Sequence, residues 1–241
     1  MKSLFESIGG RVGAISNLFR KRADDRSALE RYIDGVSAGS MNRQVKDMKE
    51  PLKVPYAQAM SVLAFGGVFV DGLRKAAYGM PEPFRTDWPC PYDQILAECV
   101  AFYFYVLIKD HLPQPDEDGE WDDGNDDEKD VDPYFESLKY ALHIDRELIY
   151  KLSGEKIHEE FVMDRALAYS SISRSKDRDI LDELAGLIWK AWNPGDNGRP
   201  LLNISSPSIP IQTSIASMPI DAIVQSCREL YDVKMKDPNA Y

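Results

Sequence analysis

The chain has 241 residues, of which 44% are hydrophobic, enough for a sizeable core and too many for a disordered chain. Residues 116–132 hold 11 acidic residues and one lysine, so this segment alone carries −10 of the formal net charge of −11. The other residues carry 29 acidic and 28 basic side chains (40 minus 11, and 29 minus 1). This nearly neutral remainder argues against a nucleic-acid-binding protein, which needs a basic surface to neutralise phosphates.

Residues 2–22 have the spacing of an amphipathic helix whose apolar side chains fall within an arc of roughly 140°. The polar side holds five basic residues and one glutamate, a local charge of +4. This pattern is typical of helices that lie in the plane of an anionic membrane surface, and also of organellar presequences. The alternative is a helix that packs on its own domain or on another subunit. The expected contact residues are Phe5, Ile8, Arg11, Ile15, Phe19, Arg20, Lys21 and Arg22.

Residues 23–241 are predicted to form a single all-α domain, an irregular bundle of about seven helices. A capping-box pattern at residues 27–30 begins a short helix, with Gly39 as its expected end. The next helix begins at Pro55 and ends near Gly79. Its three internal glycines indicate close helix packing rather than phosphate binding. These glycines are Gly66, Gly67 and Gly72.

Residues 93–112 form the most apolar predicted helix, because residues 100–108 contain no polar group except tyrosine hydroxyls. A helix that is apolar on every side is normally buried, so we expect it at the centre of the core. Asp132 and Pro133 then supply an N-cap and a first-turn proline for the next helix. Further helices are predicted over residues 134–152, 157–172, 180–192 and 220–235, with a Pro/Ser-rich loop over residues 193–219.

Residues 113–132 are predicted to form a mobile acidic loop inserted into the bundle. A calcium-binding EF-hand would need a glycine at its sixth position, but a loop that starts at Asp116 has Trp121 there. Trp121 is the one large apolar side chain among these acidic residues, so we expect it to contact a partner protein that carries a basic patch.

Two further patterns bear on chemistry. Glu98 lies within the apolar helix, where it is predicted either to act as a general acid or base, together with Tyr103 or Tyr105, or to pair with an arginine or tyrosine of a neighbouring helix. The motif from Glu155 to His158 is one half of the element used by di-iron helical bundles, and the sequence offers no second half. No catalytic residue, metal ligand or cofactor site is therefore predicted.

The three cysteines lack zinc or disulfide spacing, which favours free thiols in a reducing, cytoplasmic compartment. The best candidate for a membrane span, residues 54–70, contains Pro55 and Gln58, and its fully apolar stretch, residues 62–70, is much shorter than the roughly 20 residues that a span needs. These features favour a non-enzymatic protein-interaction module, such as an adaptor, inhibitor or chaperone-like protein. The pattern of residues 1–22 adds the expectation of peripheral association with a membrane surface. The alternative is an enzyme or small-ligand-binding protein with a pocket near Glu98.

Overall fold

The computed structural model of the chain describes residues 26–36, 44–45, 48, 51–79, 90–111, 132–154, 157–158, 160–172, 180–192, 211, 214–215 and 217–236. Within these residues lie seven α-helices and no β-strand, which confirms the predicted all-α bundle. The helices are α1 (Ala28–Gly35), α2 (Lys53–Gly79), α3 (Tyr92–Ile108), α4 (Pro133–Ser153), α5 (Phe161–Ile172), α6 (Ile180–Trp192) and α7 (Ile220–Lys236). A short 3-10 helix, Lys109–His111, follows α3.

Helix α3 lies at the centre of the bundle, as its sequence predicts. Every residue of α3 is buried except Gln94 and Val106. The helix packs against each of the other six helices in the described part of the chain. Its aromatic side chains, including Phe102 and Tyr103, are almost completely excluded from solvent. The physical reason is that a helix without a polar face gains stability from being covered on all sides.

Helix α2 approaches its neighbours closely at two of its glycines. A Cβ atom added at Gly66 would lie 2.8 Å from Leu96 Cδ1 of α3, and one added at Gly67 would lie 2.6 Å from Ile33 Cγ2 of α1. Both distances are too short for a real side chain, so the predicted close packing is confirmed here. At Gly72 the prediction is wrong, because an added Cβ would meet no atom within 4 Å.

Helix α2 is also the only helix of the described residues that is long and apolar enough to cross a membrane. However, 78% of its most apolar 18-residue window is buried inside the bundle. That burial is typical of a core helix, whose apolar surface is covered by protein.

Two of the predicted helix starts are confirmed by their cap hydrogen bonds. Ser27 Oγ accepts a hydrogen bond from the Glu30 backbone N–H at 3.0 Å at the start of α1. Asp132 Oδ1 accepts one from the Tyr134 N–H at 2.9 Å, and Pro133 occupies the first position of α4. In both caps a side-chain oxygen satisfies an N–H group that has no partner within its helix.

Two predicted boundaries are wrong. Helix α1 ends at Gly35, well before Gly39, because Val36 already has extended backbone angles (φ −72°, ψ 102°). Helix α5 begins at Phe161, so Ile157 precedes the helix although its side chain is buried. In the second case the chain leaves α4 at Gly154 with a φ of 68°, a left-handed conformation that glycine adopts without strain.

The acidic segment begins and ends at neighbouring places in the bundle. The His111 Nδ1 atom lies 3.2 Å from Asp132 Oδ2, and the His111 ring stacks on Phe135 with centroids 5.3 Å apart. Residues 112–131 lie outside the described residues, as do residues 193–210 of the predicted Pro/Ser-rich loop. The contact between His111 and Asp132 means that a short linker is long enough to join the two ends.

We therefore predict that replacing residues 113–131 with a short Gly/Ser linker leaves the bundle folded. The free energy of loop closure changes slowly with length, by about 0.6 kcal/mol for each doubling, so the melting temperature should shift by only a few degrees. Thermal unfolding followed by circular dichroism measures the shift. Loss of the cooperative transition would mean that the replaced residues are part of the core.

The glycines of α2 supply a matched pair of substitutions. Gly72→Ala should stabilise the protein by up to about 1 kcal/mol, because alanine has the higher helix propensity and the site is open. Gly67→Ala gains the same propensity but must displace the β-branched Ile33 side chain, at a cost of about 1–3 kcal/mol. Urea unfolding should rank Gly72→Ala above the wild type and Gly67→Ala below it. Equal effects of the two substitutions would contradict the close approach of α1 and α2.

Candidate functional site

Glu98 lies in the buried part of α3, and its side chain faces α5. The Arg165 Nε–H donates a hydrogen bond to Glu98 Oε1 at 3.1 Å, and the Tyr169 hydroxyl donates to Oε2 at a long 3.5 Å. The predicted pairing with an arginine or tyrosine of a neighbouring helix is therefore confirmed. Tyr103 and Tyr105, the expected partners in the alternative, are buried on α3 and make no hydrogen bond to Glu98.

The face of α5 toward α3 is built from residues spaced four apart, which places them above one another on the helix. The Arg165 guanidinium lies over the Phe161 ring, 5.2 Å from its centroid. One turn later, the Tyr169 ring meets Phe102 of α3 edge-on, with centroids 5.7 Å apart and an angle of 84° between the planes. These ring contacts fix the positions of the two side chains that bind Glu98.

The electrostatic environment of Glu98 keeps its carboxyl group near the midpoint of titration at neutral pH. Burial raises the pKa of Glu98 to about 7, although the charge and hydrogen bond of Arg165 and the Tyr169 hydroxyl offset part of that effect. The negative charge of Glu183 on α6 raises the pKa further. Burial is the largest effect because removing a carboxylate from water costs more than one partly exposed cation returns. A carboxyl group with such a pKa can donate or accept a proton near pH 7.

Asp145 is a second buried carboxyl group, and it has a different environment. The side chain lies on α4, is fully buried, and has no hydrogen-bond partner for either oxygen among the residues that the structure describes. Burial raises the pKa of Asp145 well above its usual range. Without a partner, the neutral acid is the form that the interior tolerates. The carboxyl group lies close enough to Tyr56 and Cys227 to raise the pKa of each.

Gln58 connects three helices in the same part of the core. Its Nε2 group donates a hydrogen bond to the Cys227 carbonyl of α7 at 3.1 Å, and its Oε1 accepts one from Ser137 of α4 at 2.6 Å. All three residues are buried. Because these bonds satisfy both ends of the amide, Gln58 is a structural link between α2, α4 and α7.

A charged cluster joins α1 and α2 at the edge of the bundle. Arg74 pairs with Glu30 Oε1 at 2.9 Å and with Asp71 Oδ1 at 2.6 Å. Its guanidinium also lies over the Tyr92 ring at 5.5 Å. Burial raises the pKa of Asp71 to about 6, and Arg74 lowers it in part. Every member of this cluster has a partner within the protein, which is typical of a structural ion pair.

The predicted contact residues of the N-terminal segment and the acidic loop lie outside the described residues. They are Phe5, Ile8, Arg11, Ile15, Phe19, Arg20, Lys21, Arg22 and Trp121. Glu155 of the possible metal motif also lies outside, and no group of three metal-ligating side chains occurs in the part of the chain that is described. Cys90, Cys99 and Cys227 are free thiols, as predicted.

No protein-family model, curated protein or solved structure matches this chain.

The sequence analysis missed Asp145, Arg165 and Tyr169. For Asp145 a signal exists, because it lies on the apolar face of α4, seven residues after Leu138 and four before Ile149. An acidic residue at such a position must be buried if the helix packs by that face. For Arg165 and Tyr169 the four-residue spacing is visible, but which helix they face depends on the packing of α5 against α3.

We predict that Asp145→Asn removes a pH-dependent loss of stability. The unfolded chain releases this proton near pH 4 whereas the folded protein retains it, so wild-type stability falls as pH rises above 4. The loss amounts to up to about 1.4 kcal/mol for each pH unit until the folded pKa is reached. Urea unfolding at pH 5, 6 and 7 should show the variant gaining on the wild type with increasing pH.

Asp164→Asn is the control for this experiment, because Asp164 is exposed on α5. It should give the same difference from the wild type at each pH. An Asp145→Asn difference that is likewise constant with pH would show that the Asp145 carboxyl group is not held protonated.

Proposed function

We propose that the chain is a protein-interaction module, of the adaptor, inhibitor or chaperone-like kind, which uses an exposed face of α4. The observation that carries this proposal is the contrast between a core filled with aromatic side chains and two tyrosines left in solvent on one helix. The exposed fractions of Tyr140 and Tyr150 are 52% and 41%. Tyrosine is among the residues that contribute most to binding energy at protein interfaces.

The outer face of α4 comprises Tyr140, His143, Glu147 and Tyr150, which fall within an arc of about 80° at 3.6 residues per turn. Neither tyrosine hydroxyl has a hydrogen-bond partner in the described ranges. By contrast, the charged side chains beside them are engaged within the helix, and Lys151 pairs with Glu147 at 3.1 Å. The tyrosines are therefore the groups on this face that a partner would bury with the largest gain.

The chemistry of the partner is inferred from the charge distribution. Residues 116–132 carry a charge of −10, and Asp132 is the N-cap of α4. The acidic segment thus joins the bundle at the first turn of the helix that presents the two tyrosines. A protein with a basic patch fits both features, because its charge increases the rate of encounter and a nearby apolar surface contacts the tyrosines.

The N-terminal segment supports a second contact of the same module. Its apolar residues and its charge of +4 favour binding to an anionic membrane surface, which would place the protein peripherally at a membrane. In this proposal the chain acts in the cytoplasm, and the helical bundle does not need residues 1–22 in order to fold.

The test is affinity capture from the native organism with three forms of the full chain. The wild type and Leu52→Ala should retain the same proteins, because Leu52 is similarly exposed (45%) but precedes α2. The double variant Tyr140→Ala/Tyr150→Ala should lose most of them while its melting temperature stays within a few degrees, since both side chains lie in solvent. Retention of the same proteins by the double variant, or no specific capture by the wild type, would contradict the proposal.

A second candidate function is favoured by one observation, the pKa of about 7 at the buried Glu98 carboxyl group. Such a group beside a half-exposed arginine is typical of sites that bind small ligands or transfer protons. This candidate requires that Glu98 titrates between pH 6 and 8 in the folded protein. Carboxyl-carbon chemical shifts of the wild type and Glu98→Gln measure that titration directly.

A further inference from the structure

Arg165 is held in one place but only part of its hydrogen-bonding capacity is used. Its Nε–H donates to Glu98, and its guanidinium lies over the Phe161 ring. Along the described stretches of the chain, its Nη1 and Nη2 groups have no protein acceptor. The side chain is 34% exposed, whereas that of Glu98 is only 5% exposed. Arg165 therefore contacts the buried Glu98 carboxyl group at one end of its guanidinium and is partly exposed to solvent.

A guanidinium with a fixed orientation is suited to bind an oxyanion. The two Nη groups form a planar edge with parallel N–H bonds, which matches two oxygens of a carboxylate or of a tetrahedral anion. Because Glu98 and Phe161 already restrain the side chain, less rotamer freedom is lost when the anion binds.

We propose that the Nη edge of Arg165 binds a small oxyanion from solvent while Glu98 is protonated, so that an ionised Glu98 takes up one proton when the anion binds. The proton adds to the Glu98 carboxylate and comes from solvent, and it offsets one negative charge of the bound anion. The inference rests on the second candidate function and is independent of the interaction surface on α4.

The coupling follows from the charges that act at this site. An ionised Glu98 neutralises Arg165 and repels an incoming anion, whereas a protonated Glu98 leaves the positive charge of Arg165 available. The other groups that act on Glu98 are Tyr169 of α5 and Glu183 of α6. Glu183 opposes the anion and at the same time favours the protonated form of Glu98, so it strengthens the dependence on the proton.

The size of the effect is set by the titration of Glu98. With a pKa of about 7, the carboxyl group is about nine-tenths protonated at pH 6 and about one-tenth protonated at pH 8. If the anion binds only the protonated form, the dissociation constant rises about tenfold over this range. A simple electrostatic attraction to an arginine would give no such change, because arginine keeps its charge throughout.

The experiment uses the full-length protein with sulfate and, separately, acetate as probes, since both keep their charge between pH 6 and 8. The Arg165 Nε–H resonance is followed by NMR at pH 6, 7 and 8, with ionic strength held constant by sodium chloride. We expect a saturable shift for the wild type and a dissociation constant about tenfold higher at pH 8 than at pH 6. The preferred probe identifies whether the site takes a tetrahedral or a planar oxyanion.

Two variants separate the roles of the residues. Glu98→Gln keeps Arg165 but cannot titrate, so its affinity should be the same at all three pH values and close to that of the wild type at pH 6. Arg165→Lys keeps the charge but lacks the planar edge, and should bind several-fold more weakly, as read from the amide resonances of residues 161–169. Both substitutions change the size of the side chain little. The melting temperature of each variant, compared with that of the wild type, therefore shows whether it is folded.

The outcomes also distinguish this inference from the function on which it rests. If Glu98 titrates near pH 7 but neither anion gives a saturable shift, or the affinity does not depend on pH, the inference is wrong and the second candidate function stands. If Glu98 does not titrate between pH 6 and 8, both are wrong. Equal affinities for the wild type and Arg165→Lys would also overturn the assignment to the Nη edge.

Discussion

The burial of α3 on every side is the constraint on which the rest of the structure depends. A helix with no polar face cannot lie at the edge of a helical bundle that faces water without exposing a large apolar area. Each large apolar side chain of α3 contributes about 1.5–3 kcal/mol when it leaves water, provided that other helices cover it. This requirement explains why α3 contacts all the other helices of the described chain, and why α2 gives up side chains at Gly66 and Gly67 to approach its neighbours.

Burying a polar group in such an apolar interior costs free energy unless the group finds a partner. Three buried polar side chains of the bundle meet this cost in different ways. Gln58 makes hydrogen bonds at both ends of its amide. Glu98 is paired with Arg165, whose side chain reaches solvent, and the pKa of Glu98 is about 7, so its carboxyl group can carry a charge at neutral pH. Asp145 has no hydrogen-bond partner in the described residues, and burial raises the pKa of its carboxyl group well above the usual range. Of these three groups, Glu98 is the one whose partner reaches solvent, which is why a ligand-linked proton is assigned there and not to Asp145.

Much of the fold could be predicted from the sequence because its determinants are local. Helical periodicity, the Ser27 and Asp132 caps and the apolar run of α3 each depend on residues close together in the chain. The site is harder to predict because it depends on which helices meet. The sequence indicates that Glu98 needs a partner, but the choice of Arg165, 67 residues away, follows from the packing of α5 on α3. The same limit explains why Gly67 and Gly72 look alike in sequence and differ in their surroundings.

Native-state hydrogen exchange tests the central position of α3 most directly. If every face of α3 is covered by the rest of the bundle, its amides exchange only when the whole protein unfolds. The exchange free energies of residues 96–108 should then equal the free energy of unfolding from urea denaturation, and should exceed those of α1 and of the ends of α4. Exchange of these α3 amides at a clearly lower free energy than the global value would contradict the account, because it would mean that α3 becomes exposed while the other helices remain folded.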